Sequence, residues 1–216
     1  MTDTQSRPMD ARSARLVAAA LRAGRSSADA AFDRFLPRPL SDVSSQYWTP
    51  LPVVRRAAGW LRDARVRTVV DIGSGAGKFC VAAALLTRCG FVGLEQRRSL
   101  VHRARELAAT FEVADRVTFV HDRCSTATIP RAEAYYLFNP FGEYTFGSDE
   151  FDEPGVIFTK DTFAADIAAV TEVLSRAPIG TFAITLNGIG GTFPKGYDQI
   201  DIGLGAYGTL RFWKKR

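Results

Sequence analysis

A run of glycines and three carboxylates are the residues of this sequence best suited to chemistry. The run is Val69-Val70-Asp71-Ile72-Gly73-Ser74-Gly75-Ala76-Gly77, of the form D-x-G-x-G-x-G. Glycines at alternate positions let a backbone turn tightly and approach a ligand with no Cβ in the way. A dinucleotide fingerprint, G-x-G-x-x-G, would need glycine where Lys78 stands, and a Walker loop would need Ser or Thr where Phe79 stands. Asp71 ends an apolar run, where it repels a pyrophosphate and attracts an amino group. Glu95 ends the next run, GFVGLE, where a carboxylate can take both hydroxyls of a ribose. Asp122 closes a third, VTFVHD, placed to accept a hydrogen bond from an adenine amine.

Singly, each acid reads equally well as a helix N-cap or a solvated strand end. Three of them at consecutive strand ends, in register with a glycine loop, describe one ligand. It has an amine, a ribose and an adenine, and it has no phosphate. S-adenosylmethionine fits that description, with Asp71, Gly73, Gly75 and Gly77 on its methionine part, Glu95 on the ribose, and Asp122 with Arg123 around the adenine.

These residues need a scaffold of alternating strands and helices, and the chain supplies the pattern. After Arg67, short apolar runs alternate with helical periodicity: VRTVVDIG and a helix over about 77–88, then GFVGLE and a helix over about 97–111. RVTFVHD, AEAYYLFNP, a helix over about 161–176 and GTFAITL follow. The rhythm predicts a parallel sheet with helices on both faces. YDQIDIGLG and YGTLRFWKK read as two strands joined by a tight turn, the last antiparallel to the rest. Before Arg67, helices are expected over about 10–23, with Leu16, Val17, Ala20 and Leu21 on its apolar face, from Ser26–Ser27 to Pro37, and over about 52–64. The proline-rich segment LPRPLSDVSSQYWTPLP between the last two reads as a linker or lid carrying Tyr47, Trp48 and Thr49. Residues 1–45 are thus expected to form a helical extension and 46–216 the main domain.

The segments DIGSGAGKFCVAAALL, GLEQRRSLVHRARELA, VTFVHDR and YYLFNPF resemble, in order and spacing, the successive motifs of the class I S-adenosylmethionine-dependent methyltransferases. A narrower resemblance is to the branch distantly related to the non-SET histone lysine methyltransferases. The family resemblance implies a Rossmann-like, seven-stranded, mostly parallel sheet with an antiparallel C-terminal strand and helices on both faces. It implies S-adenosylmethionine as cofactor and catalytic residues at the end of the fourth strand, here Asn139, Pro140 and Phe141. The family's N-P-P-[YF] signature uses Asn and Pro to hold an acceptor N–H and an aromatic ring to stack on it. This chain lacks the second proline, and Asn139-Pro140 also reads as a plain strand end and turn. The reaction implied is methyl transfer to a nitrogen of an amine or a protein side chain. The alternative is a non-catalytic module that binds S-adenosylmethionine or adenosine, RNA-associated if the basic N-terminus has a partner.

After Asn139-Pro140, Glu143, Asp149, Glu150, Asp152 and Glu153 interleave with Tyr144, Phe146 and Phe151. An acidic, aromatic loop suits a cationic acceptor, small molecule or protein, through charge pairing and cation–π contact. A solvated loop whose aromatics pack onto the sheet is the plainer reading. His102 and His121 read as structural. No His, Cys or Asp spacing suits a metal, and no nucleophile stands beside a base.

Composition bounds the rest. The 216 residues hold 28 Lys+Arg against 23 Asp+Glu, a net charge of +5, and are 46% hydrophobic. That suits one domain with a real core and excludes global disorder. No apolar run approaches the ~18–20 residues of a membrane span. The N-terminus lacks the apolar core of a secretory signal, so a cytoplasmic protein is expected, with Cys80, Cys89 and Cys124 as reduced thiols. The first 67 residues carry 12 Arg against 6 Asp, which suits either a nucleic-acid footprint or the solvated faces of helices, and the second is favoured.

Overall fold

Seven strands, β1 (Thr68–Ile72), β2 (Gly90–Glu95), β3 (Val117–His121), β4 (Ala134–Phe138), β5 (Phe182–Leu186), β6 (Tyr197–Gly205) and β7 (Gly208–Lys215), form one sheet in the order β3-β2-β1-β4-β5-β7-β6. The computed structural model describes residues 11–25, 28–140, 153–157 and 159–216. β1 pairs in parallel with β2 and β4, β2 with β3, and β4 with β5. β7 alone runs against its neighbours β5 and β6. This is the mostly parallel sheet with an antiparallel C-terminal strand that the alternation implied. The strand order reverses between β1 and β4, and ligand crevices of such sheets lie at the strand C-termini beside that reversal.

The helices are α1 (Ala11–Arg22), α2 (Ala28–Asp33), α3 (Ser44–Tyr47), α4 (Leu51–Asp63), α5 (Lys78–Leu86), α6 (Arg98–Thr110) and α7 (Lys160–Arg176). Strand pleating divides the core into two halves. Val69, Phe91, Phe119, Tyr136 and Ile184 face α1, α2, α4, α5 and α6. Val70, Ile72, Leu94, Tyr135 and Leu137 face the other way, onto Val170 and Leu174 of α7. α5, KFCVAAALL, is buried at all but its last residue, as expected of a helix that is apolar all round. Its three consecutive alanines let α1 and α4 approach closely.

Two local expectations shift. On α1 the buried set is Ala14, Val17, Ala18 and Leu21, while Leu16 is 66% exposed. The spacing 14-17-18-21 is the better helical stripe, and it is the face that α1 packs into the core. α2 is short and anchors through Phe32, which stacks on Phe111 with ring centroids 4.6 Å apart. Both helices thereby join the same core as α4–α6. The proline-rich segment carries the short helix α3.

Candidate active site

A cavity of about 390 Å³ opens at the C-terminal ends of the strands on both sides of the β1/β4 reversal. Its floor is Gly73 and Gly75, its sides are Glu95, Gln96 and Arg97 after β2 and Asp122 and Cys124 after β3. Phe138, Asn139 and Pro140 enter from β4, and Asn187 from the end of β5. Ala206 and Tyr207, the turn between β6 and β7, close one edge, and Ser45–Trp48 of the α3 segment close another. The volume lies within the ~300–1,000 Å³ of small-molecule sites.

The glycine loop is pinned by its own backbone. The N–H groups of Gly73 and Ser74 both donate to the Leu94 carbonyl, at 2.9 and 3.0 Å, and Gly77 N–H donates to Ser74 O at 2.9 Å. All three glycines have positive φ, at 78°, 53° and 80°, which L-residues rarely adopt. Yet they serve different ends. A Cβ on Gly73 would meet nothing within 4 Å, because that position opens into the cavity. A Cβ on Gly75 would strike the Trp48 ring, and one on Gly77 would strike the Phe119 ring at 2.6 Å and Ala104 at 2.8 Å. Gly73 thus leaves space for a ligand, Gly75 seats an indole, and Gly77 lets α5 pack on α6 and β3. Gly77 does not line the cavity.

Glu95 is buried and faces the loop. Its carboxylate accepts hydrogen bonds from Gly75 N–H at 3.0 Å and Arg97 N–H at 2.9 Å. The Arg97 guanidinium stands 3.6 Å away. Asp122 lines the cavity from an exposed position, and its side chain accepts from Arg123 N–H at 2.7 Å. The Arg123 side chain turns away to pair with Asp166 of α7, at 3.2 Å, so Asp166 and not Arg123 reaches the cavity wall.

Asp71 does not line the cavity. Pleating puts it on the Val69 face, under α5, where Cys80 Sγ donates to its carboxylate at 3.3 Å. Burial first, and the nearby Glu95 charge as well, push its pKa up to about 7 against the lowering effect of the thiol. The same burial, with Asp71 beside it, drives the Cys80 thiol well above its ordinary range, so it remains a donor. An acid expected against a ligand's amine is therefore held beneath the loop.

At the acceptor end, Asn139 and Asn187 close the adjacent strands β4 and β5, both with positive φ, at 37° and 61°. Asn139 N–H donates to Leu186 O at 2.9 Å. Asn187 Oδ1 accepts from Thr209 N–H at 3.0 Å and so fixes the β6–β7 turn that carries Tyr207. Phe141, Glu143, Asp149, Glu150 and Asp152 lie outside the described residues. Glu153 is described and does not line the cavity: it accepts from the backbone N–H groups of Arg98 and Ser99, at 2.9 and 3.0 Å, capping α6. Although desolvation would raise its pKa, the hydrogen bonds from Ser99 and Arg98 hold it below the usual carboxylate range. Sequence reasoning missed Asp166, Asn187 and Tyr207. Asn187-Gly188 at a strand end was a readable turn signal; the others needed the fold.

His121 bonds the Gln96 carbonyl at 3.1 Å and His102 pairs with Glu106, both outside the cavity. The three cysteines are free thiols, and Cys124 is half-buried at the cavity wall. Among the described residues no helix is long and apolar enough to cross a membrane.

No family model matches the chain, and no curated protein matches it. Solved structures do. An RNA methyltransferase from Salinibacter ruber, in complex with S-adenosyl-L-homocysteine, is 22% identical at a TM-score of 0.51, over 77% of this chain and 92% of that one. The mitomycin 7-O-methyltransferase MmcR is 16% identical at a TM-score of 0.55, over 92% of this chain and 60% of that one. A putative methyltransferase from Escherichia coli, yhhF, is 14% identical at a TM-score of 0.52, over 76% and 86%. With its seven-stranded mixed sheet and the helices around it, this chain has the Rossmann-like fold of the class I S-adenosylmethionine-dependent methyltransferases.

Proposed function

We propose that this chain binds S-adenosylmethionine in the cavity and transfers its methyl group to a nitrogen acceptor. One observation carries the reading: the buried Glu95 carboxylate at the end of β2, fixed by two backbone N–H groups beside the open face of Gly73. The residues present fit the cofactor. Gly73 leaves the room a Cβ would fill, Glu95 offers oxygens for the ribose hydroxyls, and Asp122 stands at the neighbouring strand end for the adenine amine. When bound, the sulfonium supplies an electrophilic methyl group.

The chain's own task is then positioning and exclusion of water. Asn139 and Pro140 hold the acceptor at the β4 end, with Phe141 next in sequence. Tyr207 and Trp48 narrow the mouth. Asp71, below the loop, acts through the loop's placement. An amine must arrive neutral or lose its proton, and Asp166 is a carboxylate at the cavity wall that could hold that proton or the cation.

Calorimetry tests the cofactor half. S-adenosylhomocysteine should bind and NAD should give no heat; NAD binding without S-adenosylhomocysteine binding overturns the reading. Labelled-methyl transfer to small amines, proteins and RNA tests the other half. Binding without transfer to any of them would make the chain a binding module. Cationic acceptors accepted over RNA would support the amine reading, and transfer to RNA alone would replace it.

The glycines offer a sharper check. Gly73→Ala should weaken S-adenosylhomocysteine binding about tenfold, while backbone strain lowers stability by about 1–2 kcal/mol. Gly77→Ala should carry that strain plus about 1–3 kcal/mol of overpacking against Phe119, yet bind as the wild type does once folded. Calorimetry paired with thermal melts would show it, and the reverse order of effects would contradict the assignment of the loop.

A further inference from the structure

Lys78, the residue that breaks the dinucleotide fingerprint, opens α5 directly after Gly77. A lysine is disfavoured there twice over. Its side chain is only 2% exposed, and the start of a helix repels a cation. The ammonium donates to Ser44 Oγ at 3.0 Å and forms ion pairs with Asp29 Oδ1 at 2.7 Å and Asp33 Oδ1 at 2.6 Å. Asp29 and Asp33 are four residues apart on α2, so one helix face turns both carboxylates to the lysine. Ser44 is the first residue of α3, and the next four residues line the cavity.

The last of these, Trp48, lies over Gly75 and donates its indole N–H to Leu40 O at 2.9 Å. Thr49 then bonds the Tyr136 hydroxyl at 2.9 Å, inside the core. The glycine loop is thus gripped from above by Trp48 and, one turn on, by an ion cluster joined to α2 and α3. Core packing alone does not call for charge here. Buried ion pairs are often replaceable by apolar residues without loss of stability, and their best-attested use is to set the register of packed elements.

We propose that Lys78 is a positioning residue for the cofactor cavity. Through Ser44 and the two α2 carboxylates it sets the α3 wall, Trp48 above all, against the glycine loop. The proposal rests on the cavity being the S-adenosylmethionine site.

Ser44→Ala keeps both ion pairs and cuts only the link to α3. It should weaken S-adenosylhomocysteine affinity about threefold to tenfold, Lys78→Met should weaken it about tenfold or more, and Ser44→Thr should restore it. In the ligand-free protein, amide hydrogen exchange over residues 44–50 should rise in Ser44→Ala while α5 stays protected. Unchanged affinity and unchanged exchange in Ser44→Ala overturn the proposal, and that variant decides the matter alone if Lys78→Met does not fold. A wild-type protein that fails to bind S-adenosylhomocysteine sinks the cofactor reading instead, and the exchange measurement then still judges whether Lys78 positions α3.

Discussion

Glu95→Ala should weaken S-adenosylhomocysteine binding about 100-fold, equivalent to about 3 kcal/mol. Two effects add. The variant loses the acceptor oxygens proposed for the ribose, and it also frees the Gly75 and Arg97 N–H groups that the carboxylate now holds at 3.0 and 2.9 Å. Removing a buried carboxylate beside Arg97, 3.6 Å away, should cost a further ~3–5 kcal/mol in stability. Glu95→Gln separates the two. It keeps the volume and one acceptor oxygen, so stability should largely recover while affinity stays well below wild type. Titration calorimetry and denaturant melts on both variants would show this. Wild-type affinity in a folded Glu95→Gln and a folded Glu95→Ala would remove Glu95 from the site.

The second large effect concerns pH. Asp71 has its pKa raised from 3.8 to about 7 in the folded chain, chiefly by burial. Between those values the folded protein keeps a proton that the unfolded chain has lost, so stability falls as pH rises through this window. Below it both states are protonated, and above about pH 7 both are ionised. The full penalty at neutral to alkaline pH is about 4 kcal/mol, since each unit is worth about 1.4 kcal/mol. Asp71→Asn removes that slope while leaving an oxygen for the Cys80 thiol. Urea denaturation at pH 5 and pH 8 should show a stability gap in the wild type that shrinks in the variant, and the variant should be the more stable at pH 8. Parallel pH curves for the two proteins would mean that Asp71 titrates normally.

The position of Asp71 also explains why the loop holds its form with so few side-chain bonds. The loop is tied to Leu94 O by two backbone N–H groups, and Asp71 fills the space between loop and α5 with a carboxyl that is easily neutral. Glu95, on the cavity side of the same loop, lies among N–H donors. Two acids of one motif set, at the ends of the neighbouring strands β1 and β2, thus meet different partners: Asp71 the Cys80 thiol under α5, Glu95 the backbone N–H groups of Gly75 and Arg97.

The sequence by itself determined the strand–helix alternation, the antiparallel last strand and the candidate cofactor acids at successive strand ends. Those features are local: apolar periodicity, glycine spacing and the residue type that ends each run are visible without knowing what packs on what. It also held the α1 and α2 helices, though with one wrong face, because Leu16 and Ala20 flank Val17 and Leu21 on one side and Ala14 and Ala18 on the other, and only tertiary packing decides which side is buried. Tertiary structure alone decided which glycine faces ligand space and which faces a neighbouring side chain. All three have positive φ, and the difference lies in Trp48, Phe119 and Ala104, which are distant in sequence. It likewise placed Asp71 beneath the loop by the parity of a pleated strand against a buried helix. It brought Asp166, Asn187 and Tyr207 to the cavity wall, since the fold puts residues about 90 to 130 positions from the glycine loop at one sheet end. And it joined Lys78 to Asp29, Asp33 and Ser44, an assembly that exists only because a buried ammonium must find acceptors wherever the fold brings them.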